Sequence, residues 1–454
     1  MQDGRGWTVR RRALAERRKT MGFSQEELAA ALGVDRTTVI RWESGETEPQ
    51  PWHRPRLAKA LRLPVEDLAG LLSGPPPAYA PAPPTGPALS FEDGPARELY
   101  RRGYGLLAHD DREGIEAAEA LLERAVTHDP TFAGAIAARG YTQWRKYFAG
   151  WADSSEALDR ALRDVEAALE ADPGSVIAHI TFIRACWDMG WHEHALRAGR
   201  SVYTRHPDSL DASVAFARAL TNAGLADVAM PLVDSVLAAD PTDLAAQKLR
   251  IWCLMLLGRH EAAVETARAY LTSHPTDANT RWAVALAAYH MEDGGELAAR
   301  VAREGVEADP TDVTVWTLLG YLRPGTWAEA LERLGATEAN SRTTAWLANI
   351  HAAAGHAETA RRLADELRAA HPANGYITYR LTHVYAELGQ TEPALACLRA
   401  AVELGFLSVQ LLRREADFGL ASLRGLDAYE TLVRQLDDNV ERCRRLYVPW
   451  GAAR

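Results

Sequence analysis

Residues 223–241 read AGLADVAMPLVDSVLAADP, and residues 257–275, 34 positions later, read LGRHEAAVETARAYLTSHP. Each stretch has a glycine at its second position, Gly224 or Gly258, and an alanine five positions after that glycine. Each also ends in a proline, which cannot continue a helix. A turn, an amphipathic helix and a stop signal therefore recur together, and a fixed period of this length indicates a repeat architecture.

The same signals extend over most of the 454-residue chain. Prolines that follow a helix recur at spacings of 43, 34, 34, 34, 35 and 62 residues: Pro130, Pro173, Pro207, Pro241, Pro275, Pro310 and Pro372. Turn glycines recur in two series with a step of 34: Gly190, Gly224 and Gly258, then Gly355 and Gly389. Alanines fall where paired helices must cross closely: Ala195, Ala229, Ala263, Ala360 and Ala394. The pattern predicts about nine helix pairs, the seventh of them short.

This pattern resembles the tetratricopeptide repeat, although the leading Trp-Leu-Gly positions of that family are degenerate here. The resemblance implies an all-α, right-handed α-solenoid whose first helices line a concave face. We assign residues 95–408 to the array. Residues 409–454 depart from the period and are predicted to form the capping helices that such arrays need.

The resemblance also indicates which side chains would line the groove. In tetratricopeptide proteins the second, fifth, ninth, twelfth and thirteenth residues of the first helix tend to face it. Guanidinium and amide groups there would hold the backbone or terminus of a peptide, while aromatic walls bury its apolar side chains. The alternative is that many of these aromatic residues pack between repeats. The candidates are Tyr141, Trp144, Arg145, Arg184, Trp187, Arg218, Asn222, Trp252, Trp282, Tyr289, Asn349 and Tyr379.

A different pattern precedes the array, where short helices are separated by turn signals. Residues 24–27, Ser-Gln-Glu-Glu, form a capping box at the start of a second helix. Gly33 is free to take the positive φ of a tight turn, and Asp35 caps a third helix. The predicted helices cover residues 9–21, 25–32, 36–43, 54–61 and 65–72.

Three side chains in this segment have the size and spacing of a helix-turn-helix. Ala29 is small where two helices cross, and Val39 and Trp42 point inward at helical spacing. The stretch FSQEELAAALGVDRTTVIRWESGETEPQ, residues 23–50, resembles the phage-repressor/Cro-like family, also called the xenobiotic-response-element family. The resemblance implies a DNA-binding domain over residues 7–73 whose third helix enters the major groove.

Carried onto this chain, the resemblance makes Arg36, Thr37 and Thr38 the base-reading candidates. Arg36 could donate to guanine O6 and N7, and the threonine methyls could contact thymine. The phosphate candidates are Gln25, at a helix N-terminus that favours an anion, together with Arg41, Arg10, Arg11 and Arg12. For any one arginine the alternative is a solvated surface charge, and Trp42 is expected in the core.

The charge distribution agrees with a DNA-binding head and a body that avoids DNA. The net charge is −10, but residues 1–73 carry +3 and the remainder −13. Residues 74–94 are predicted to be a proline-rich linker, since seven of the fourteen residues in GPPPAYAPAPPTGP are proline. As polyproline II that stretch would extend roughly 40 Å. A tether is expected, with an SH3-type ligand as the alternative.

Signatures of catalysis, metal binding and membrane insertion are missing from the sequence. It has no phosphate-binding Gly-Lys loop, no H-E-x-x-H and no G-x-S-x-G, and its four cysteines lie far apart. There is also no run of about 18 apolar residues and no signal-peptide pattern. We therefore expect a cytoplasmic, non-enzymatic protein with reduced thiols, no cofactor, no metal and no membrane contact.

The combination predicts a transcriptional regulator that binds operator DNA and senses a peptide, small molecule or protein in its groove. Its layout is similar to that of bacterial quorum-sensing regulators that join a Cro-like head to tetratricopeptide repeats. A ligand would change the curvature of the solenoid or the geometry of a homodimer, which is expected because one head makes few phosphate contacts. The alternative is an interaction scaffold, or adaptor, whose head serves only for localisation.

Overall fold

The structure is a computed structural model that describes residues 12–21, 23–44, 47, 49, 53–61, 68, 94–107, 112–152, 156–334 and 340–448. The chain divides into two compact units, residues 1–92 and residues 93–454. Across the described ranges there are 24 α-helices and no strand, so the prediction of an all-α protein is confirmed. Residues 74–93, which include nearly all of the predicted linker, lie outside the described part of the chain.

The first unit packs its helices around one apolar core. Its helices are α1 (Arg12–Thr20), α2 (Gln25–Leu32), α3 (Arg36–Ser44) and α4 (His53–Ala60). Of the predicted fifth helix only Leu68 is described, and it is helical and buried. The buried core consists of Leu14, Leu28, Ala29, Leu32, Val39, Trp42, Leu57, Ala58, Leu61 and Leu68. The inward placement predicted for Ala29, Val39 and Trp42 is therefore confirmed.

Local hydrogen bonds fix the start and end of α2 as the sequence predicts. The Ser24 hydroxyl accepts from the Glu27 N–H at 3.1 Å, and the Glu27 carboxylate accepts from the Ser24 N–H at 2.7 Å. Gly33 ends the helix with φ of +72°. A reciprocal cap and a left-handed turn residue place α3 at a fixed angle to α2.

The second unit consists of nine consecutive helix pairs followed by two further helices. The first four pairs are α5 (Pro95–Leu106) and α6 (Arg112–His128), α7 (Ala133–Ala149) and α8 (Glu156–Ala171), α9 (Val176–Met189) and α10 (His192–Arg205), α11 (Leu210–Asn222) and α12 (Ala226–Ala239). The next three are α13 (Leu244–Leu256) and α14 (His260–Ser273), α15 (Ala278–Tyr289) and α16 (Gly295–Ala308), α17 (Val313–Leu322) and α18 (Trp327–Leu334). The last two are α19 (Ser341–Ala353) and α20 (Ala357–Ala370), α21 (Gly375–Glu387) and α22 (Thr391–Glu403).

The remaining helices are α23 (Val409–Arg414) and α24 (Asp427–Tyr447). The second pair begins with a long helix of 17 residues, and the seventh pair has helices of only 10 and 8 residues. The predicted crossing residues Ala195, Ala229, Ala263, Ala360 and Ala394 are all buried. The helix pairs, their period and their small crossing residues make this unit a tetratricopeptide-type α-solenoid.

The solenoid folds back on itself, which nothing in the repeat pattern predicts. Residues 340–447, which we call the return segment, pack against the turns inside earlier helix pairs. Gly150 faces Thr343, Gly224 faces Leu407 and Gly258 faces Arg414. At Gly190 the approach is closest to backbone, because a Cβ atom added there would lie 2.9 Å from the carbonyl carbon of Gly375. All four turn glycines have φ between +74° and +82°.

A buried polar network holds the start of the return segment against α7 and α9. The Arg342 guanidinium donates to Asp188 at 3.1 Å and to the Phe148 carbonyl at 3.1 Å. Its central carbon lies 4.2 Å from the centroid of the Phe148 ring. Asp188 also accepts from the indole N–H of Trp144 at 2.7 Å. Complete burial nevertheless raises the pKa of Asp188 to about 6, since desolvation outweighs the Arg342 charge.

The end of the return segment is held by apolar packing with ion pairs at its edge. In α24, Val440 and Cys443 are buried. Arg444 pairs with Asp227 of α12 at 2.7 Å, and Arg442 pairs with Glu193 of α10 at 3.0 Å. Exposed pairs of this kind contribute at most about 1 kcal/mol each, so burial of the apolar face provides most of the attachment.

Substitution of two turn glycines by alanine distinguishes two requirements at these positions, which are a left-handed backbone and space for the return segment. Gly190 and Gly355 both have positive φ, but a Cβ atom on Gly355 would meet no atom within 4 Å. Both G190A and G355A should lose about 1 kcal/mol from the left-handed backbone. G190A should lose a further 1–3 kcal/mol, roughly, from overpacking against the return segment. Urea denaturation followed by circular dichroism measures both, and equal losses would show that the segment does not dock there.

Candidate nucleic-acid interface and ligand cavity

The outer face of α3 carries the side chains available to read a DNA base edge. Arg36, Thr37, Ile40 and Arg41 are exposed, while Thr38 is partly buried. Residues at these spacings share one side of a helix, opposite the core positions. The structure thus brings three of the predicted contact residues together. It adds Ile40, which is 38% exposed and which sequence reasoning missed although it follows the inward Val39 directly.

The position of α3 depends on a buried ion pair with α1. Arg18 donates to the Glu43 carboxylate through Nε at 2.6 Å and through a terminal nitrogen at 3.2 Å. It also donates to the Phe23 carbonyl at 2.7 Å, and both charged side chains are nearly inaccessible to water. A two-point guanidinium–carboxylate contact fixes orientation as well as distance, so it locks the reading face relative to the rest of the unit.

The predicted phosphate contacts have different surroundings. The Gln25 side-chain amide donates to Glu43 at 2.8 Å, so it ties α2 to the ion pair that holds α3. Arg41 lies on the exposed face of α3. Arg10 and Arg11 lie outside the described residues, as does the side chain of Arg12 at the start of α1.

In the second unit, the first helices of the early pairs and part of the return segment line a cavity of about 1080 Å³. Arg342, Ser408 and Leu411 of the return segment contribute to its wall. Eight of the predicted groove residues line it: Tyr141, Trp144, Arg145, Arg184, Trp187, Arg218, Asn222 and Trp252. The return segment therefore adds a further wall to the groove.

Four predicted groove residues do not line this cavity: Trp282, Tyr289, Asn349 and Tyr379. Trp282 and Asn349 are buried, and Tyr289 packs its ring 4.9 Å from that of Phe418 in the return segment. Tyr379 is fully buried and donates to Glu415 at 2.6 Å. These four residues lie away from the cavity because the later first helices are themselves covered by, or belong to, the return segment.

One row of residues defines the electrostatics of the cavity wall. Tyr141, Arg184, Arg218 and Trp252 are the ninth residues of the four successive first helices, α7, α9, α11 and α13. The Arg184 guanidinium carbon lies 5.5 Å from the Tyr141 ring centroid and 5.0 Å from that of Trp144. Burial, reinforced by the like charge of Arg184, lowers the pKa of Arg218 to about 9.

The carboxylates that line the cavity lie at the N-terminal ends of helices. Asp243 accepts from the Ala246 N–H at 2.7 Å, and Asp277 pairs with Lys248 at 3.0 Å. Asp277 also caps α15, and Asp312 caps α17. These groups are engaged in capping and pairing, although the charge of Asp243 also acts on Arg218.

Nothing in the described ranges groups three or more His, Cys, Asp or Glu side chains as a metal site would require. The four cysteines are buried free thiols, and burial raises the pKa of Cys253 to about 12, which makes it a poor nucleophile. None of the described helices has the length and apolarity needed to cross a bilayer.

A family model described as helix-turn-helix matches residues 14–68. An uncharacterized HTH-type transcriptional regulator of Methanothermobacter thermautotrophicus is 42% identical over 59 residues, which are 13% of this chain and 86% of that protein. The residues that the family model matches lie in the unit that contains α1 to α4. The exposed face of α3 described above lies inside the matched region.

Solved structures with tetratricopeptide repeats are similar to the second unit at low identity. A repeat protein from Parabacteroides merdae is 14% identical, with a TM-score of 0.37, over 59% of this chain and 96% of its own. A thermophilic repeat protein from Thermus thermophilus is 17% identical, with a TM-score of 0.26, over 52% of this chain and 99% of its own. The fold assignment rests on the helix pairs of this chain itself.

Removing one partner of the Arg18–Glu43 pair should loosen the first unit. E43A leaves a buried guanidinium without its carboxylate and should cost about 3–5 kcal/mol. The exposed control E26A should stay within about 0.5 kcal/mol. Hydrogen exchange measured by mass spectrometry on peptides from residues 12–61 of the full chain checks this. Equal protection in the two variants would contradict the role given to the pair.

Proposed function

The chain belongs, through its first unit, to the helix-turn-helix family of transcriptional regulators, and we propose that it binds an operator in double-stranded DNA sequence-specifically. The observation that carries the proposal is the outer face of α3, where Arg36, Thr37, Ile40 and Arg41 are exposed together. Arg36 would address guanine, and the Ile40 side chain offers an aliphatic surface to a thymine methyl. Arg41 would contact a phosphate and set the register.

We propose further that the repeat array senses an effector in its cavity. A peptide, a small molecule or a segment of a protein partner would enter the space lined by the first helices. The wall includes residues from several helix pairs and Arg342 from the return segment, so an occupant can favour one spacing of these elements over another. A ligand shifts a conformational equilibrium only through such differential contact.

The DNA-binding form is proposed to be a homodimer. One head offers a small contact area, and operators read by two heads have half-sites about 34 Å apart, one turn of the duplex. A change in the array would then alter the spacing of the heads and hence operator affinity. We propose a cytoplasmic location. We propose no catalytic role, cofactor, metal or membrane partner.

DNA selectivity is the decisive test of the regulator. The operator is first defined by selection from random duplexes with the full chain, and affinities are then measured by fluorescence anisotropy at several salt concentrations. R36A should lose about 1–3 kcal/mol at one base position and relax selectivity there. R41A should weaken binding to all sequences and reduce the salt slope by about 1.

The exposed Arg56 on α4 provides the matched control, and R56A should leave base selectivity unchanged. Failure of the wild-type chain to select any sequence would favour an interaction scaffold whose head serves only for localisation. Light scattering tests the dimer separately. A monomer both free and on the selected operator would contradict the proposed half-site mechanism.

A further inference from the structure

The cavity wall contains hydrogen-bond donors without acceptors. Within the described residues, neither Arg184 nor Arg218 forms an ion pair with a carboxylate, whereas the neighbouring cations Lys248 and Arg342 each do. The Arg184 Nε atom and the Trp252 indole N–H are each buried without a hydrogen-bond partner. An unsatisfied buried donor costs about 1–3 kcal/mol, and more when it is charged. Such a cluster is expected where a ligand supplies the acceptors.

The row in which these donors lie runs across adjacent repeats. Arg184 and Arg218 are 34 residues apart and hold the same helix position, between Tyr141 on one side and Trp252 on the other. The first helices that carry them, α9 and α11, are in contact. The two like charges are close enough for Arg184 to lower the pKa of Arg218. An anion between them would relieve that repulsion and pair both cations.

In the described part of the chain no carboxylate forms an ion pair with Arg184 or Arg218, although the charge of Asp243 acts on Arg218 and that of Asp188, four residues on in α9, acts on Arg184. The other cations that line the cavity are Arg112, Arg145, Lys248 and Arg342, and the carboxylates that line it are Asp211, Asp243, Asp277, Asp309 and Asp312. Asp211 is the second residue of α11 and Arg218 the ninth, which places their backbones about 10 Å apart along the helix. The carboxylates therefore lie at the N-terminal edge of the helices. Arg184 and Arg218, which we call the guanidinium row, lie further along them.

Aromatic and aliphatic side chains surround the guanidinium row. Tyr141 and Trp144 lie under the Arg184 guanidinium, and Ile180, Ile183 and Trp187 line the same region. The cavity, at about 1080 Å³, is slightly larger than the usual range of small-molecule pockets, about 300–1000 Å³. The cavity therefore combines a pair of guanidinium groups that can bind an oxyanion with an apolar wall.

On the premise of the proposed function, we infer that the effector is an organic anion. Its carboxylate, phosphate or sulfonate group binds between Arg184 and Arg218, and its aromatic or aliphatic body lies against Tyr141, Trp144 and Trp252. A free organic acid and a short peptide with a free C-terminal carboxylate share this chemistry. A neutral ligand of the same shape would leave the donors unsatisfied and bind less tightly.

Two fluorescent probes of similar shape test whether an anion binds between Arg184 and Arg218. Anilinonaphthalene sulfonate carries an anionic group, and N-phenyl-1-naphthylamine is its neutral counterpart. R184Q and R218Q keep much of the side-chain volume and should each weaken sulfonate binding about tenfold, while changing neutral-probe binding less than twofold. R163Q, at an exposed position on α8, should change neither affinity. Fluorescence titration of the full chain measures all of these.

A cavity-filling variant separates failure of the inference from failure of the sensing proposal. I180W places a large ring in the cavity, and unchanged melting temperature and circular dichroism would verify its fold. If I180W removes neutral-probe binding but R184Q and R218Q leave sulfonate binding unchanged, the cavity is a ligand site without an anion-binding site and the inference is overturned. If I180W alters the binding of neither probe, the sensing proposal fails as well.

Competition distinguishes the two sources of the anion. 4-Phenylbutyrate represents free organic acids, and N-acetyl-Leu-Leu-Phe with a free carboxylate represents peptides. Each is compared with its own neutral amide for displacement of the sulfonate probe. Displacement at least fivefold better by an acid than by its amide supports the inference, and the more effective acid identifies the source. Displacement no better by either acid than by its amide would overturn it.

Discussion

The close approach of the return segment to the turn glycines is the constraint on which the second unit depends. Each of these glycines lies in the turn after a first helix and has a positive φ, which disfavours a side chain. Gly190 has a second demand, since the backbone of Gly375 occupies the space that a Cβ would need. The glycine that turns the chain between the paired helices therefore also leaves room for the return segment. The same residue determines the local direction of the chain and allows the distant segment to pack there.

The packing of the return segment against the early helix pairs explains which residues form the wall of the cavity. Because the return segment reaches the ends of α7 and α9, Arg342 can pair with the buried Asp188 and stack on Phe148. Aromatic residues of the early repeats remain at the cavity, while Tyr379 is enclosed by the segment that contains it. An isolated array of the early repeats would present the same side chains on an open surface, where charge interactions are weaker.

Short-range patterns allowed most of the local structure to be predicted. The capping box at Ser24, the positive φ at Gly33 and the inward Trp42 depend on neighbours within a few residues or on helical spacing. The period likewise predicted the helix pairs, and the tetratricopeptide resemblance pointed to eight residues that line the cavity. The packing of the return segment was not predictable in this way, because it depends on contacts such as Asn340 to the Tyr147 carbonyl, 193 positions apart, and no repeat signal marks them.

The guanidinium row connects occupancy of the cavity to the geometry of the array. Arg184 and Arg218 belong to different helix pairs, so an anion that binds both fixes the spacing of those pairs. Without an anion their mutual repulsion, which adds to burial in lowering the pKa of Arg218, opposes the same approach. The anion therefore makes contacts that differ between a tighter and a looser arrangement, which is the condition for a ligand to shift that equilibrium. A ligand that bound only one of the two helix pairs would not make these differential contacts and would not shift the equilibrium in this way.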